Sequence, residues 1–387
     1  MPALDVPQPE FMDDEEIAIF ADAVGKFYEK HAPEKRVLKW REDGQVDRDF
    51  WRDAGEAGLL GASVPEEYGG HGGDFRHEMV VIDQQGQHGV EGFAASLHNT
   101  IILPYLVRHG TEEQKKKYLP RLVSGDLVSA IAMTEPGVGS DLQSITTTAL
   151  KDGNGYKING AKTYISNGQI ADFIIVVAKT DPNERAKGIS LMLLETDGAE
   201  GFQRGKKLDK IGLDSQDTSE LFFDDVFVPA ENVLGGEEGK GFYQLMGELP
   251  QERLIIAMGA MSTIERALEE TIAFTKERKA FGKTIWDFQN TQFTLAELKA
   301  RATAAKVFVN HCIAQHLEGK LDVPTACMAK LWLTELQGEV VDKCLQLHGG
   351  SGYINDYPIA RMFRDSRVSR IFGGSNEIMK MVIARGM

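Results

Sequence analysis

The residues that could do acid–base chemistry begin with Glu252, in the stretch LPQERLIIAMGAM. Apolar residues recur after it at helical spacing, so the pattern predicts that Glu252 and Arg253 lie in the first turn of a helix with one buried flank. Pro250 suits a helix start, because that position needs no N–H. A carboxylate there also has a purely structural interpretation, since acidic side chains favour helix N-termini. Residues near the C-terminus bear on the choice between these interpretations.

Two stretches place short hydroxyl side chains next to turn residues. The first is AMTEPGVGSD at Ala132–Asp141, in which Thr134 and Ser140 flank a Pro-Gly turn. Such a loop exposes backbone donors and hydroxyls that suit a polar ring or a phosphate. The second is YISNG at Tyr164–Gly168, which places an aromatic ring and a hydroxyl at a strand end. Taken singly, each stretch is also compatible with an ordinary turn.

Two further stretches suit an anionic group. In ERKAFGKTIWDFQ, at Glu277–Gln289, Arg278 offers a guanidinium of the kind that binds phosphates, near aromatic Phe281. QLHGG at Gln346–Gly350 and FGGSNE at Phe372–Glu377 contain glycines that let backbone N–H groups approach an anion closely. A solvated helix face and two plain loops would account for the same residues.

Motifs of several other enzyme classes fail on spacing. No G-x-G-x-x-G follows a strand-like run, so a Rossmann dinucleotide site is not predicted. Gly235–Lys240 is one residue short of a phosphate-binding loop, and Gly241 stands where Ser or Thr is needed. His311 and His316 are five residues apart, and the three cysteines form no C-x-x-C. The sequence therefore predicts no metal site.

Composition and charge exclude further classes. The 387 residues are 42% hydrophobic and 26% charged, as in an ordinary globular protein, and the net charge is −15. So acidic a chain is not expected to bind nucleic acid or an anionic membrane surface. No apolar run approaches the roughly 20 residues of a membrane helix, and the start, MPALDVPQPEF, has no basic region followed by an apolar one. We expect a cytoplasmic protein without membrane insertion.

Periodicity divides the chain into a helical, a β-rich and a second helical part, which predicts an α+β protein of three domains. Turn signals separate short β-rich runs in the middle part, and this spacing predicts an antiparallel sheet or a small barrel. Long helical patterns in the last part predict a bundle. The predicted domains are residues 1–127, 128–240 and 241–387.

Together and in this order, the four stretches resemble the acyl-CoA dehydrogenases, which are FAD enzymes of fatty-acid and branched-chain oxidation. The resemblance covers about Asp13 to Arg385, and its most specific segments are TEPGVGSD, ISNG, DDVFVPAENVLG, ERKAFGK and LQLHGGSGY. It implies an N-terminal helical domain, a middle antiparallel β domain and a C-terminal four-helix bundle. It also implies FAD at a subunit interface, a homotetramer built as a dimer of dimers, and electron-transfer flavoprotein as the electron acceptor.

The resemblance assigns cofactor and substrate contacts residue by residue. The first two stretches would face the flavin ring, with the Ser166 hydroxyl near the hydride-accepting nitrogen. The other two would bind the diphosphate and adenosine end of FAD in a neighbouring subunit, and Ser375 with Glu377 would close over the cofactor. The implied FAD-binding residues are Met133, Thr134, Gly139, Ser140, Tyr164, Ile165, Ser166, Arg278, Phe281, Phe288, Gln289, Gln346, Leu347, Gly349, Gly350, Ser375 and Glu377. The implied substrate-binding residues are Ser140, Arg253 and Gly374.

The catalytic base is where this chain departs from the commoner family pattern. Many members carry it as Glu in a Tyr-Glu-Gly-Thr stretch, and here the matching residues are Phe372–Ser375, with Gly373 at the position of the base. A glycine cannot abstract a proton. A subset that includes the long-chain and isovaleryl enzymes carries the carboxylate at the position of Glu252. The segments LPQERL, TACMAK and GGSNEIMK are most similar to the long-chain enzymes, so we expect Glu252 to be the base.

The implied reaction is α,β-dehydrogenation of an acyl-CoA thioester to trans-2-enoyl-CoA. Glu252 would take the α proton, the Gly373 backbone N–H would polarise the thioester carbonyl, and the flavin would take the β hydride. An apolar pocket should raise the pKa of Glu252. Gly373 and Gly374 should leave space beside the α carbon for long or branched chains. Two alternatives stay open: an acyl-CoA oxidase that uses oxygen, and a catalytically silent flavin- or acyl-CoA-binding protein.

Overall fold

The computed structural model describes residues 3–90 and 92–387. Met1 and Pro2, which belong to the N-terminal stretch considered above, lie outside this range, as does Glu91. The elements follow the predicted order of helices, strands and helices. Within the described range, no helix is long and apolar enough to span a membrane, and no group of three or more His, Cys, Asp or Glu residues could hold a metal ion.

Helices form the N-terminal part, and polar side chains cap their first turns. Asp14 accepts a hydrogen bond from the Glu16 N–H and Asp47 accepts one from the Phe50 N–H, which satisfies donors that a helix start leaves free. A π-helical turn, His98–Ile102, joins the fifth helix to the sixth. The helices are α1 (Glu15–His31), α2 (Glu34–Asp43), α3 (Arg48–Glu56), α4 (Phe75–His88), α5 (Ala95–Leu97), α6 (Leu103–His109) and α7 (Glu112–Val123).

A seven-stranded sheet forms the middle part, in the order β1-β4-β2-β3-β7-β6, with β5 paired to β4. Most pairs are antiparallel as expected, but β4 runs parallel both to β1, with Ser129 opposite Phe173, and to β2, with Thr148 opposite Lys179. Turn signals identify hairpins between neighbouring strands and carry no information on such a long crossover. The strands are β1 (Ser129–Ala132), β2 (Thr148–Asp152), β3 (Gly155–Ser166), β4 (Phe173–Lys179), β5 (Ile189–Glu195), β6 (Phe202–Lys207) and β7 (Thr218–Pro229).

Helices again form the C-terminal part, where a two-stranded hairpin separates the first two long helices. Helix α8 is buried along much of its length and packs between α4 and α10. The elements are α8 (Gly241–Glu277), β8 (Lys279–Ala280), β9 (Lys283–Thr284), α9 (Gln289–Leu317), α10 (Val323–His348), α11 (Pro358–Asp365) and α12 (Asn376–Arg385).

The start of α8 corrects one expectation from the sequence. The helix begins at Gly241, so Glu252 lies in its third to fourth turn and not in its first. Pro250 lies inside the helix, where its ring removes one backbone hydrogen bond without ending the helix. The macrodipole at a helix start therefore does not explain the carboxylate at position 252.

Ion pairs connect all three parts near the centre of the molecule. Arg41 of α2 donates to Asp365 of α11 (2.7 Å) and to Asp214 in the loop before β7 (2.9 Å). Arg364 donates to both oxygens of Asp214, at 2.6 and 2.7 Å. The Leu213 N–H donates to Asp365 Oδ1 (2.5 Å), which holds this loop against α11. The network fixes the relative positions of three walls of one cavity.

Candidate active site

A cavity of about 360 Å³ lies where the three parts meet. Helix α8 forms one wall, along which Glu252, Ile256, Gly259 and Thr263 face the cavity on successive turns. At 1.5 Å per residue these positions extend over about 16 Å. The N-terminal part adds largely apolar side chains such as Phe93, from the loop before α5, and the β sheet adds a polar wall.

The polar wall comes from the ends of β1 and β3. Met133 and Thr134 follow β1, and Tyr164–Ser166 end β3, so two stretches far apart in sequence line the same surface. The Thr163 N–H donates to the Thr134 carbonyl at 2.9 Å and joins the two stretches. Tyr164 has φ of 61°, a left-handed conformation that is uncommon for a residue with a side chain. Such strain is concentrated at binding sites, and this wall offers hydroxyl and backbone groups that fit the expected flavin ring.

A buried ion pair holds the polar wall in place. Lys162 Nζ donates to Glu135 Oε1 (3.0 Å) and to the Met133 carbonyl (2.9 Å). Burial alone would raise the pKa of Glu135, but the Lys162 charge and hydrogen bonds from Thr146 and Thr147 lower it to about 2. Burial lowers the pKa of Lys162 to about 8 despite the nearby carboxylate. The pair was not anticipated, although Glu135 lies inside the recognised TEPGVGSD stretch.

Glu252 lies on the α8 wall with its side chain buried. Burial raises the pKa of its carboxyl to about 7. The Tyr105 hydroxyl, which donates to Glu252 Oε1 at 2.8 Å, opposes this rise, and the negative charge of Glu248 adds to it. Oε2 accepts no hydrogen bond from the described residues. Tyr105 belongs to no motif, and 147 residues separate it from Glu252 along the chain, so the sequence carried no signal for this contact.

The π-helical turn aligns α6 with α8 at this point. Pro104 has no N–H to donate four residues back, which leaves the Thr100 carbonyl available. Gln251 Nε2 donates to that carbonyl at 2.7 Å, while Gln251 Oε1 accepts from Arg108 at 2.8 Å. These two hydrogen bonds fix both the nitrogen and the oxygen of the Gln251 side-chain amide, next to Glu252 in the chain.

Gly373 also lines the cavity, and its N–H donates to no described residue. Its φ is 62°, and a Cβ built there would lie 2.3 Å from Ile256 Cδ1. The expected empty space beside the α carbon is therefore wrong at this position, because Ile256 occupies it. A Cβ at Gly374 would similarly lie 2.9 Å from Met379 Cε. Room for a long or branched chain must come from another part of the cavity.

Arg253 and the residue groups predicted to hold the far end of the cofactor do not line this cavity. Arg253 is buried on another side of α8, where its Nη1 lies 3.2 Å from Cys327 Sγ. Gly139 and Ser140 lie on an exposed loop. The others lie on the hairpin between α8 and α9, at the end of α10 and at the start of α12: Arg278, Phe281, Phe288, Gln289, Gln346, Leu347, Gly349, Gly350, Ser375 and Glu377. These assignments stay predictions.

The buried ion pair generates a stability prediction. Replacing Lys162 by Met leaves the Glu135 carboxylate buried without its cation, so the free energy of unfolding should fall by about 3–5 kcal/mol. Chemical denaturation of the two proteins measures the difference. Lys26→Met is the matched control: Lys26 pairs with Asp22 on the exposed face of α1 and should leave the midpoint unchanged. An equally stable Lys162→Met protein would contradict the role given to the pair.

Comparisons with known proteins agree with this architecture. The family description "Acyl-CoA dehydrogenase, N-terminal domain" matches residues 14–126, that for the middle domain matches 130–226, and that for the C-terminal domain matches 239–387. Long-chain specific acyl-CoA dehydrogenase of Sus scrofa is 48% identical over 369 residues, which cover 95% of this chain and 85% of that protein. Isovaleryl-CoA dehydrogenase of Pongo abelii is 38% identical over 366 residues, covering 94% and 86%.

Solved structures give the same result. An acyl-CoA dehydrogenase from Geobacillus kaustophilus matches with a TM-score of 0.94 and 47% identity, over 96% of this chain and 98% of that one. A glutaryl-CoA dehydrogenase from Mycobacterium smegmatis in complex with FADH2 matches at 0.91 and 27%, over 100% and 97%. A chain from the electron transferring flavoprotein structure of Acidaminococcus fermentans matches at 0.91 and 35%, over 98% and 99%. The expected fold and reaction class are confirmed: this chain belongs to the acyl-CoA dehydrogenase family and is an FAD-dependent enzyme that dehydrogenates acyl-CoA.

Proposed function

We propose that this enzyme oxidises medium- to long-chain or branched acyl-CoA to trans-2-enoyl-CoA, with Glu252 as the catalytic base. The α C–H bond breaks as its proton passes to the Glu252 carboxylate, and the β hydrogen leaves with its electron pair as the double bond forms. Bound FAD supplies the hydride acceptor. A carboxyl whose pKa burial raises to about 7 is suited to this task, because a general base works best with a pKa near the working pH.

This assignment rests on the hydrogen bonds that the two carboxylates lining the cavity, Glu252 and Asp365, accept. Both oxygens of Asp365 accept hydrogen bonds from Arg41, and one also accepts from the Leu213 N–H. Glu252 has one oxygen without a hydrogen bond from the described residues and a pKa that burial has raised. Of the two, only Glu252 has an oxygen available for a substrate proton.

Gly373 supplies the complementary group. Removing an α proton places negative charge on the thioester oxygen, and a fixed donor at that oxygen lowers the barrier. The Gly373 N–H lines the same cavity as Glu252 and donates to no described residue. Lys330 Nζ donates to the adjacent Gly374 carbonyl at 2.9 Å and to Asn376 Oδ1 at 2.9 Å, which fixes the loop that carries this N–H.

Replacing Glu252 by Gln tests the base. The amide keeps the shape but cannot accept the proton, so the rate of flavin reduction by acyl-CoA should fall about 10²- to 10⁴-fold. Anaerobic stopped-flow absorbance of the flavin measures this rate. Glu265→Gln is the matched control, since Glu265 lies on the same helix, has a pKa raised by burial and pairs with Lys306 outside the cavity. A Glu252→Gln enzyme that reduces flavin at the wild-type rate would retire the assignment.

The length of acyl chain follows from the far part of the α8 wall. A Cβ at Gly259 would meet no atom within 4 Å, so this glycine leaves open space in the cavity about two turns beyond Glu252. Gly86 also lines the cavity, but a Cβ there would lie 2.5 Å from Ser262 Oγ and would push α4 away from α8. We infer that Gly259, and not Gly373 or Gly374, provides the room for a long or branched acyl chain.

Replacing Gly259 by Leu should therefore shorten the preferred substrate. We expect kcat/KM for long and branched acyl-CoA to fall by about tenfold to 200-fold, because each misplaced methylene in such a pocket has an effect of that order. Activity with a short straight acyl-CoA should persist. A panel of acyl-CoA substrates measures the change, with Gly247→Leu as the control on an exposed position of the same helix. Unchanged long-chain kcat/KM in Gly259→Leu would refute this account.

We further propose a homotetramer, built as a dimer of dimers, that passes its electrons to electron-transfer flavoprotein. The predicted FAD residues outside the cavity lie largely on exposed surfaces, and the Phe281 side chain is 96% exposed, as expected if a second subunit covers them. The match to a chain in an electron transferring flavoprotein structure supports the acceptor.

The acceptor is tested by reoxidation. After anaerobic reduction with acyl-CoA, electron-transfer flavoprotein should reoxidise the enzyme rapidly, whereas air should do so slowly and with little peroxide. Stopped-flow absorbance and a peroxide assay measure the two routes. Peroxide formed in step with enoyl-CoA would identify an oxidase, and failure of any acyl-CoA to reduce the flavin would identify a binding protein.

A further inference from the structure

Tyr105, on α6, contacts the carboxylate of Glu252. Its side chain is fully buried, and its hydroxyl donates to Glu252 Oε1 at 2.8 Å. The carboxylate oxygen that remains for the substrate is Oε2. Glu252 lines the cavity, and a carboxyl held at one oxygen has a fixed direction for proton transfer.

We propose that Tyr105 is a positioning residue for the catalytic base: its hydroxyl holds Glu252 Oε1, stabilises the carboxylate form and directs Oε2 at the α proton. This inference rests on the proposed role of Glu252. In the reaction, the proton leaves the α carbon and forms an O–H bond at Oε2, while the hydrogen bond from Tyr105 to Oε1 is retained.

The position of Tyr105 is itself fixed by the backbone around it. Pro104 precedes Tyr105 near the start of α6, and its missing N–H leaves the Thr100 carbonyl, in the π-helical turn, to Gln251, the neighbour of Glu252. The bond from Gln251 to Thr100 therefore ties the turn before α6 to α8, one residue from Glu252 and five residues from Tyr105 along the chain. The hydroxyl reaches Oε1 because of this alignment.

The charged groups around Tyr105 and Glu252 are paired with other residues, so among the described residues the Tyr105 hydroxyl is the donor to the Glu252 carboxylate. On α8, Glu248 accepts from Arg108, whose positive charge faces it, and lies 3.1 Å from His109 Nε2. Arg253 points towards Cys327 and Lys330 of α10. His316 of α9 interacts with Arg108 and Glu248, and burial lowers its pKa to about 4, so it is neutral at working pH. Asp365, across the cavity, is paired with Arg41.

Tyr105 remains a neutral donor throughout the working range. Burial, followed by the charge of Glu252, raises the pKa of Tyr105 well above that of an ordinary tyrosine. A neutral donor stabilises the charged form of Glu252, so the bond lowers the pH at which the base becomes active. Without the hydroxyl, the charge of Arg253 alone would oppose the effects of burial and Glu248 on Glu252, and the pKa of Glu252 would rise further.

The test is the pH dependence of flavin reduction in the holoenzyme carrying Tyr105→Phe. The rate should rise with pH as Glu252 loses its proton, and in the variant this rise should move upwards by roughly one pH unit, the effect of removing one hydrogen bond to a charged group. Tyr28→Phe is the matched control: Tyr28 is fully buried in the same part, and its hydroxyl has no hydrogen-bond partner among the described residues. Its profile should coincide with that of the wild type.

A second readout does not depend on activity. The infrared band of the protonated Glu252 carboxyl, obtained as the difference between wild type and Glu252→Gln, should titrate at higher pH in Tyr105→Phe. If that variant does not fold, replacing Tyr105 by a fluorinated tyrosine keeps the shape and makes the hydroxyl a stronger donor, which should move both profiles to lower pH. A slower enzyme with an unmoved pH profile and an unmoved band would overturn the positioning role.

The outcomes for the two residues are separable. Wild-type activity in Glu252→Gln would remove the base on which this inference rests. An inactive Glu252→Gln enzyme together with an unmoved profile in Tyr105→Phe would overturn the role of Tyr105 alone.

Discussion

The energetic cost of burying one carboxylate governs the architecture of this site. Taking a charged group out of water is unfavourable unless donors replace the water, and Glu252 is buried at the meeting point of three parts of the chain. The structure compensates only in part. One neutral hydroxyl reaches one oxygen, and no cation pairs directly with the carboxylate among the described residues. The incomplete compensation raises the pKa of Glu252 to about 7, as its proposed role as a base requires.

Elsewhere the same cost is compensated in full. Glu135 has Lys162 and the Thr146 and Thr147 donors, and Asp365 has Arg41 and a backbone N–H. These ion pairs hold the walls of the cavity in fixed positions. The number and charge of the donors around a buried carboxylate therefore set its pKa: Lys162 and the Thr donors hold that of Glu135 low, whereas the single Tyr105 hydroxyl leaves that of Glu252 raised.

The sequence predicted the three-part fold and the family, because periodicity and turn residues are local signals and the motifs are specific in combination. It also proposed Glu252 as the base, since the glycine at position 373 indicated that the base must lie elsewhere, and this assignment stays a prediction. It could not place Tyr105 or Ile256 beside these residues, because such contacts depend on how helices pack and not on spacing along one of them. The helix start expected near Pro250 was wrong because proline is tolerated inside a long, packed helix.

The cavity and the predicted contacts to FAD differ in whether one chain brings their residues together. The cavity with Glu252 and Gly373 is complete within one chain, whereas the predicted contacts to the far end of FAD lie on separate, largely exposed surfaces. Sequence motifs predicted both groups. They do not show which groups one chain brings together, since a motif carries no information about which subunit it serves.

The packing of Ile256 against Gly373 makes the two ends of the site interdependent over evolutionary change. A side chain restored at position 373 would collide with Ile256 and would also have to adopt a left-handed backbone conformation. A single substitution at position 373 would therefore act on two elements at once, because the Ile256 side chain would have to turn aside and the backbone of the loop would have to relax. A smaller side chain at position 256 would remove the first of these costs, so the tolerance of position 373 depends on the residue that α8 carries opposite it.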